Sequence, residues 1–547
     1  MKSRDGFEVV NELLREEVNR RAVLRALGWS AVGLAGAGPL AVPSLALAQK
    51  VKTGGTITIG IAGNIDTLDA HNTTSIFACS IHNNIYNGLL KIVSPDGQSV
   101  DFKPELAREW EIQGDRVHVF RLHKGVTFHN GDPCTAADVK WNLERVKDKS
   151  QSPIHAWKLE LLEAIETPDP LTVKLLFTKP YPFLRVALTG STGRAGTILS
   201  PRAVKEKGKA YGRNPVGTGP FKFVEWKESD HILLEKNPAY WETDAAGGKL
   251  PYLDKVMLRI IVEPSTLVAA LKTGEVDGIN SVSPQFVADL RKDPQLNALS
   301  AVGGNWQCFH FNLAKEPFSD KALRKAVAFA VDRKEILDRV EFGEGIVAHG
   351  PISPPMGGFY DKAFEKGTNG QYYDLEQARA WMKQAKYDGR EVLYLSTNAG
   401  TAPRRAEVIQ AQLAKIGVKV HIELADFPTF RRRWFHERQW DMVSVQWDAD
   451  LDPDETLYPE LHSMETWNAG KWVNKDFDRA VEQARAENDF AKRKKAYEDA
   501  VRAIVEDAPV TVILHVNEQK IFHKYVKGFQ MIPANLINMH TVWLDKA

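Results

Sequence analysis

PRRAEVIQAQLAKIGVKVHIEL, residues 403–424, reads as three events in a row. Pro403 opens a helix, because its missing N–H is not needed in the first turn and its fixed φ suits that position. Gly417 closes the helix, since the usual stop is a left-handed residue and glycine adopts that shape without strain. Val418, Val420, Ile422 and Leu424 then alternate with Lys419, His421 and Glu423, the period of two expected of a half-buried strand. Helix, tight stop and strand in immediate succession are the grammar of an α/β layered structure.

The same grammar extends in both directions. Thr56–Ile61 predicts a strand, Arg116–Leu122 alternates, and Leu171, Val173, Leu175 and Phe177 keep a period of two. Val256–Val262 is nearly all apolar, which predicts a strand buried on both faces. Asp320 can cap a helix carrying Leu323, Ala326, Val327 and Ala330 on one face. Asp374 and Gln377 resemble a capping box ahead of Ala378, Trp381, Met382 and Ala385. No solenoid repeat or low-complexity segment is present.

Composition narrows the function. The 547 residues carry 71 Lys and Arg against 70 Asp and Glu, a net charge of +1. Nucleic-acid binding needs a basic face, so that class is set aside. Cys79, Cys134 and Cys308 are too few and too widely spaced for a disulfide framework, although one bond between two of them stays open. Residues 1–48 read as an export signal: Arg20-Arg21, an uncharged stretch from Ala26 to Gln49, then Ala46-Leu47-Ala48 as the cleavage site. The twin arginines implicate the twin-arginine export machinery. The mature chain is expected to begin near Gln49, in the periplasm, with no permanent membrane insertion.

A search for chemistry finds little. HExxH, GxxxxGK[ST] and GxSxG are all absent, so no catalytic residue, cofactor or metal site is expected. Gly217-Thr218-Gly219 lacks a third glycine and reads as a turn entering a strand. His118, His123 and His129 lie close in sequence without a recognised ligand spacing, and read as structural or surface residues. Trp447-Asp-Ala-Asp-Leu-Asp-Pro-Asp454 packs Asp448, Asp450, Asp452 and Asp454 behind an apolar strand. Loops at strand ends are where α/β proteins place ligands. These carboxylates could hold an ammonium group or Ca²⁺, or simply form a solvated acidic turn.

At this point a family resemblance enters. Phe128-His-Asn-Gly131-Asp-Pro133-Cys-Thr135-Ala136-Ala-Asp138-Val139-Lys-Trp141 resembles the signature of the peptide/nickel class of ABC-importer solute-binding proteins (bacterial extracellular solute-binding family 5). Asn214–Phe221, Asn237-Pro238-Ala-Tyr240-Trp241, Leu271–Asp277, Phe311-Asn312 with Pro317–Asp320, Asp332-Arg333, Tyr373-Asp374 and Asp507-Ala508-Pro509 follow in the family's order. The resemblance implies a two-lobed periplasmic-binding-protein fold of the class II, cluster C type, with an inserted subdomain and a ligand cleft between lobes. One lobe would comprise 49–86, 214–306 and 509–547, the insertion 87–213, and the other lobe 307–508. Cys308–Asn312 and Val510–His515 would be hinge strands. It further implies ABC-importer permease subunits as partners and a small ligand, a di- or short peptide first. Oligosaccharides, opines or metal chelates are the alternatives within the class, and an exported hydrolase is the rival outside it. In peptide-binding members the aspartate of a Trp-x-x-Asp loop pairs with the ligand's α-amino group. That position is Asp450 here, after Trp447, with Asn305, Trp306, Thr74 and Ser75 as further cleft-lining candidates. Oligopeptide-binding members carry an arginine six residues before that aspartate, where this chain has Ser444.

Overall fold

Asp320 behaves as its position predicts. Its carboxylate accepts from Ala322 N at 2.9 Å and opens the helix Lys321–Ala330, whose Leu323, Ala326, Val327 and Ala330 are all buried. Such a cap contributes about 1 kcal/mol. Asp374 caps Leu375–Met382 in the same way. The opening stretch of the sequence forms the helix Ala402–Ala414 and the strand Val420–Ala425. A computed structural model describes residues 51–73, 75–152, 154–190, 193–365, 370–448 and 451–546.

The architecture is α/β, built on a 12-stranded mixed sheet that divides at one long strand, Val510–His523. Residues Val510–Leu514 pair antiparallel with Asn305–Phe311, which leads on to Met442–Asp448, Val392–Thr397 and Val420–Ala425. Residues Asn517–His523 pair with Leu296–Val302, and Ile521–Phe522 also pair with Gly278–Ile279. From there the sheet runs through Thr56–Ile61, Lys255–Ile260, His231–Lys236 and Phe221–Lys227. The expected hinge strand ending at His515 therefore extends to His523. Its polar second half hid it from periodicity, but Gln519 is buried against Glu344 and Lys520 against Asn535.

A second, four-stranded antiparallel sheet stands apart in the order Ala107–Gln113, Val117–Leu122, Thr172–Phe177, Leu162–Asp169. The helix Ala136–Lys147 packs on it, opened by the Asp138 carboxylate, which accepts from Thr135 N at 2.8 Å. Residues 52–547 gather into one compact unit.

One expectation needs correction and another holds. The strand expected at Val256–Val262 runs Lys255–Ile260 and is buried on one face only. Met257 and Arg259 lie half-exposed, and Arg259 pairs with Glu275 at 3.3 Å, so the strand's second face is a rim. Gly217-Thr218-Gly219 does enter a strand, Phe221–Lys227, but the glycines are there for closeness. A Cβ on Gly217 would lie 2.2 Å from the Ile85 carbonyl oxygen.

Candidate functional site

The strand Met442–Asp448 carries the acidic run toward the small antiparallel sheet. Trp447 is half-buried and meets the Trp467 ring edge-on, with centroids 5.2 Å apart. Burial, reinforced by the Glu518 carboxylate, pushes the Asp448 carboxyl up to about 6. Asp450, the expected amine anchor, and Thr74 lie outside the described residues.

Past them the run is buried and paired. Leu451 has a left-handed φ of 70°, a shape that strains a side chain with a Cβ. Its side chain is held in an apolar cluster with Ile92, Ile532, Ala534 and Leu536. Asp452 accepts from Asp454 N at 2.9 Å, capping the helix Pro453–Leu461, and forms a two-pronged pair with Arg493 at 2.9 and 2.7 Å. Asp454 faces Arg485 at 3.5 Å, and burial still lifts its carboxyl to about 6. Both oxygens of Glu455 lie 3.1 Å from Lys158 Nζ, and Arg194 comes within 3.8 Å. The solvated acidic turn is thus corrected: Asp452, Asp454 and Glu455 are buried, and a buried carboxylate persists only with a partner.

Lys158 and Arg194 come from the other side. Lys158 lies in the turn Ala156–Leu159, just before the small sheet's strand Leu162–Asp169. Arg194 also donates to Cys79 Sγ at 3.3 Å, in the helix Ile76–Ile85. Ser75 is the N-cap of that helix and accepts from Ala78 N at 3.4 Å. Ser75 thus caps the helix that Arg194 touches through Cys79, and Arg194 also lies near enough to Asp448 to favour its carboxylate.

Asn305 and Trp306 lie directly across from Asp448 and Trp447 on the neighbouring strand. The Asn305 amide accepts from Val516 N at 2.9 Å and donates to Val516 O at 3.1 Å, fastening two strands where the long strand changes partners. Trp306 is fully enclosed in an apolar cluster with Val443 and Val512. The three histidines are structural: Trp110 Nε1 donates to His118 at 3.3 Å, His123 packs on Trp241, and His129 bonds the Gly219 carbonyl at 3.0 Å. All three cysteines are buried. Lys158, Arg194, Arg485, Arg493 and Glu518 escaped sequence reasoning. Each meets its partner only after distant segments fold together, and no local spacing marks them.

A two-lobed α/β frame whose large sheet divides at one long strand is the frame of a binding protein. The chain belongs to the bacterial extracellular solute-binding proteins, family 5; the description of that family's middle region matches residues 101–468. It is 30% identical to di/tripeptide-binding protein 2 of Pseudomonas aeruginosa (strain UCBPP-PA14), over 81% of this chain and 86% of that protein. It is 26% identical to the glutathione-binding protein GsiB of Pectobacterium atrosepticum, over 88% of this chain and 92% of that protein. Among solved structures it resembles the ABC transporter-associated periplasmic binding protein DppA from Helicobacter pylori in complex with the peptide STSA. That match has a TM-score of 0.80 and 26% identity, and covers 90% of this chain and 99% of the other. Among the described residues no helix is long and apolar enough to cross a membrane.

Proposed function

We propose that the protein captures a di- or short peptide in the periplasm and hands it to ABC-importer permease subunits, without catalysing any reaction on it. Residues 1–48 take it out through the twin-arginine machinery and are removed after Ala48. The lobes are 49–86 with 214–306 and 509–547, and 307–508; the segment 87–213 is the insertion. Asp450, on the loop after Trp447, pairs with the ligand's α-amino group.

The observation that carries this reading is the likeness to proteins named for di/tripeptides and glutathione, joined to the aspartate that follows Trp447. The strand Met442–Asp448 ends at Trp447-Asp448, just before Asp450 in the sequence, and burial with the nearby Glu518 carboxylate raises the Asp448 carboxyl to about 6. A free peptide carries an α-ammonium group, which a carboxylate holds through charge-assisted hydrogen bonds. The relatives named for di/tripeptides and glutathione, and the peptide-bound structural neighbour, support the same ligand class.

Thermal unfolding of residues 49–547 with free and N-acetylated di- and tripeptides tests it. Free peptides are expected to stabilise, by about 2.7 kcal/mol at 100 times Kd. N-acetylation is expected to abolish the effect. Asp450→Ala should cost about 2–5 kcal/mol of binding, the usual loss when a buried charge pair is broken. Equal stabilisation by free and acetylated peptides would overturn the amine-anchor reading.

A further inference from the structure

We propose that Cys308, His310 and Glu460 form a buried Zn²⁺ site inside the half of the molecule built around the strand Asn305–Phe311. Cys308 and His310 are two apart on that strand, so they project from one face. The helix Pro453–Leu461 lies across the face and contributes Glu460 from its last turn. Their thiol, imidazole and carboxylate ligand atoms all lie within 4.8 Å of one another. Cys308 and Glu460 are 0% exposed and His310 is 2% exposed.

These groups are poorly served by the protein alone. His310 Nε2 and Glu460 Oε1 approach to 2.6 Å, and among the described residues no other group hydrogen-bonds that nitrogen or either Glu460 oxygen. Buried polar atoms left in that condition are costly. A cation seated between them takes His310 Nε2, one Glu460 oxygen and the Cys308 thiolate as three ligands, with a water as the fourth. The donor set selects its kind. Sulfur with nitrogen and one carboxylate oxygen suits Zn²⁺, whereas Ca²⁺ and Mg²⁺ take oxygen ligands. Tetrahedral bonds of about 2.0–2.3 Å need ligand atoms somewhat over 3 Å apart, so His310 and Glu460 part by less than about 1 Å to admit the ion.

The Trp306 and Trp434 rings flank His310 and close the site, so the ion enters as the chain folds. Export of an already folded chain, the route proposed from Arg20-Arg21, places that loading in the cytoplasm.

The test is metal analysis of the exported protein, purified from the periplasm without chelator and dialysed against EDTA to strip surface ions. About one zinc per chain is expected, released only on unfolding. Expression or refolding with Co²⁺ is expected to add a thiolate-to-cobalt absorption band in the near ultraviolet. Cys308→Ser should remove that band, and Cys134→Ser should keep it. Glu460→Gln, which preserves volume, should lower the metal content at least about tenfold. If Cys308→Ser or Glu460→Gln fails to fold, the zinc content and cobalt spectrum of the unaltered protein decide alone. Less than about a tenth of an equivalent of any transition metal there, with no cobalt–thiolate band, overturns the site and leaves an ion pair beside a thiol.

Discussion

At the scale of single residues, charge pairing in the interior decides how the protein responds to acid. Asp69 lies next to Arg145, whose two terminal nitrogens reach its oxygens at 2.9 and 2.7 Å. Burial pushes the Asp69 carboxyl up, but the Arg145 hydrogen bonds and the charges of His71 and Arg145 outweigh it and leave the group at about 2. The unfolded chain binds this proton near pH 3.8, so a depressed folded value stabilises the native state above that pH. The contribution is about 2 kcal/mol at neutral pH and is lost as pH falls from 4 toward 2. Urea midpoints measured across that range should show the loss, and Asp69→Asn should flatten it. An equally steep acid limb in Asp69→Asn would assign the effect to other carboxylates.

At the scale of elements, local chemistry was written plainly and long-range chemistry was not. Pro403 and Gly417 bracket a real helix, and Asp320 and Asp374 are real caps, because each of these signals acts within a turn of its own position. The acidic run was visible as composition, but its meaning depends on Lys158, Arg485 and Arg493, which are far away in sequence. The second half of Val510–His523 was invisible because its polar side chains are buried by partners rather than by an apolar face. Likewise, Cys308, His310 and Glu460 have no motif until a helix is laid across a strand. The tight turn at Gly217 tests how far local reading extends. Gly217→Ala should destabilise by about 1–3 kcal/mol, because its methyl would press on the Ile85 backbone. A denaturant midpoint unchanged from the parent protein would mean the turn can relax.

At the scale of the whole molecule, buried and surface contacts tie the region of the small antiparallel sheet to the segment 455–488. Glu455 reaches Lys158, Arg485 donates to the Trp157 carbonyl at 3.1 Å, and Asn488 donates to the Asp115 carbonyl at 3.2 Å. Contacts present only in a closed form raise its population and so raise apparent ligand affinity. Lys158→Met keeps the stem and removes the charge, while Arg194 still faces Glu455. This variant is expected to show a larger radius of gyration by small-angle scattering without ligand, and several-fold weaker peptide binding. An unchanged scattering curve would show that the pair does not hold the halves together.

The long strand Val510–His523 also bears on how the chain is made. It follows, in the chain, every other strand of the 12-stranded sheet, and it supplies a neighbour to both halves. During synthesis, the strands Asn305–Phe311 and Leu296–Val302 emerge before the segment that covers their edges. The nascent protein therefore carries two uncovered sheet edges at once, each a template for wrong pairing with another chain. Neither half can finish before the other, so the ribosome releases one cooperative folding problem rather than two sequential ones.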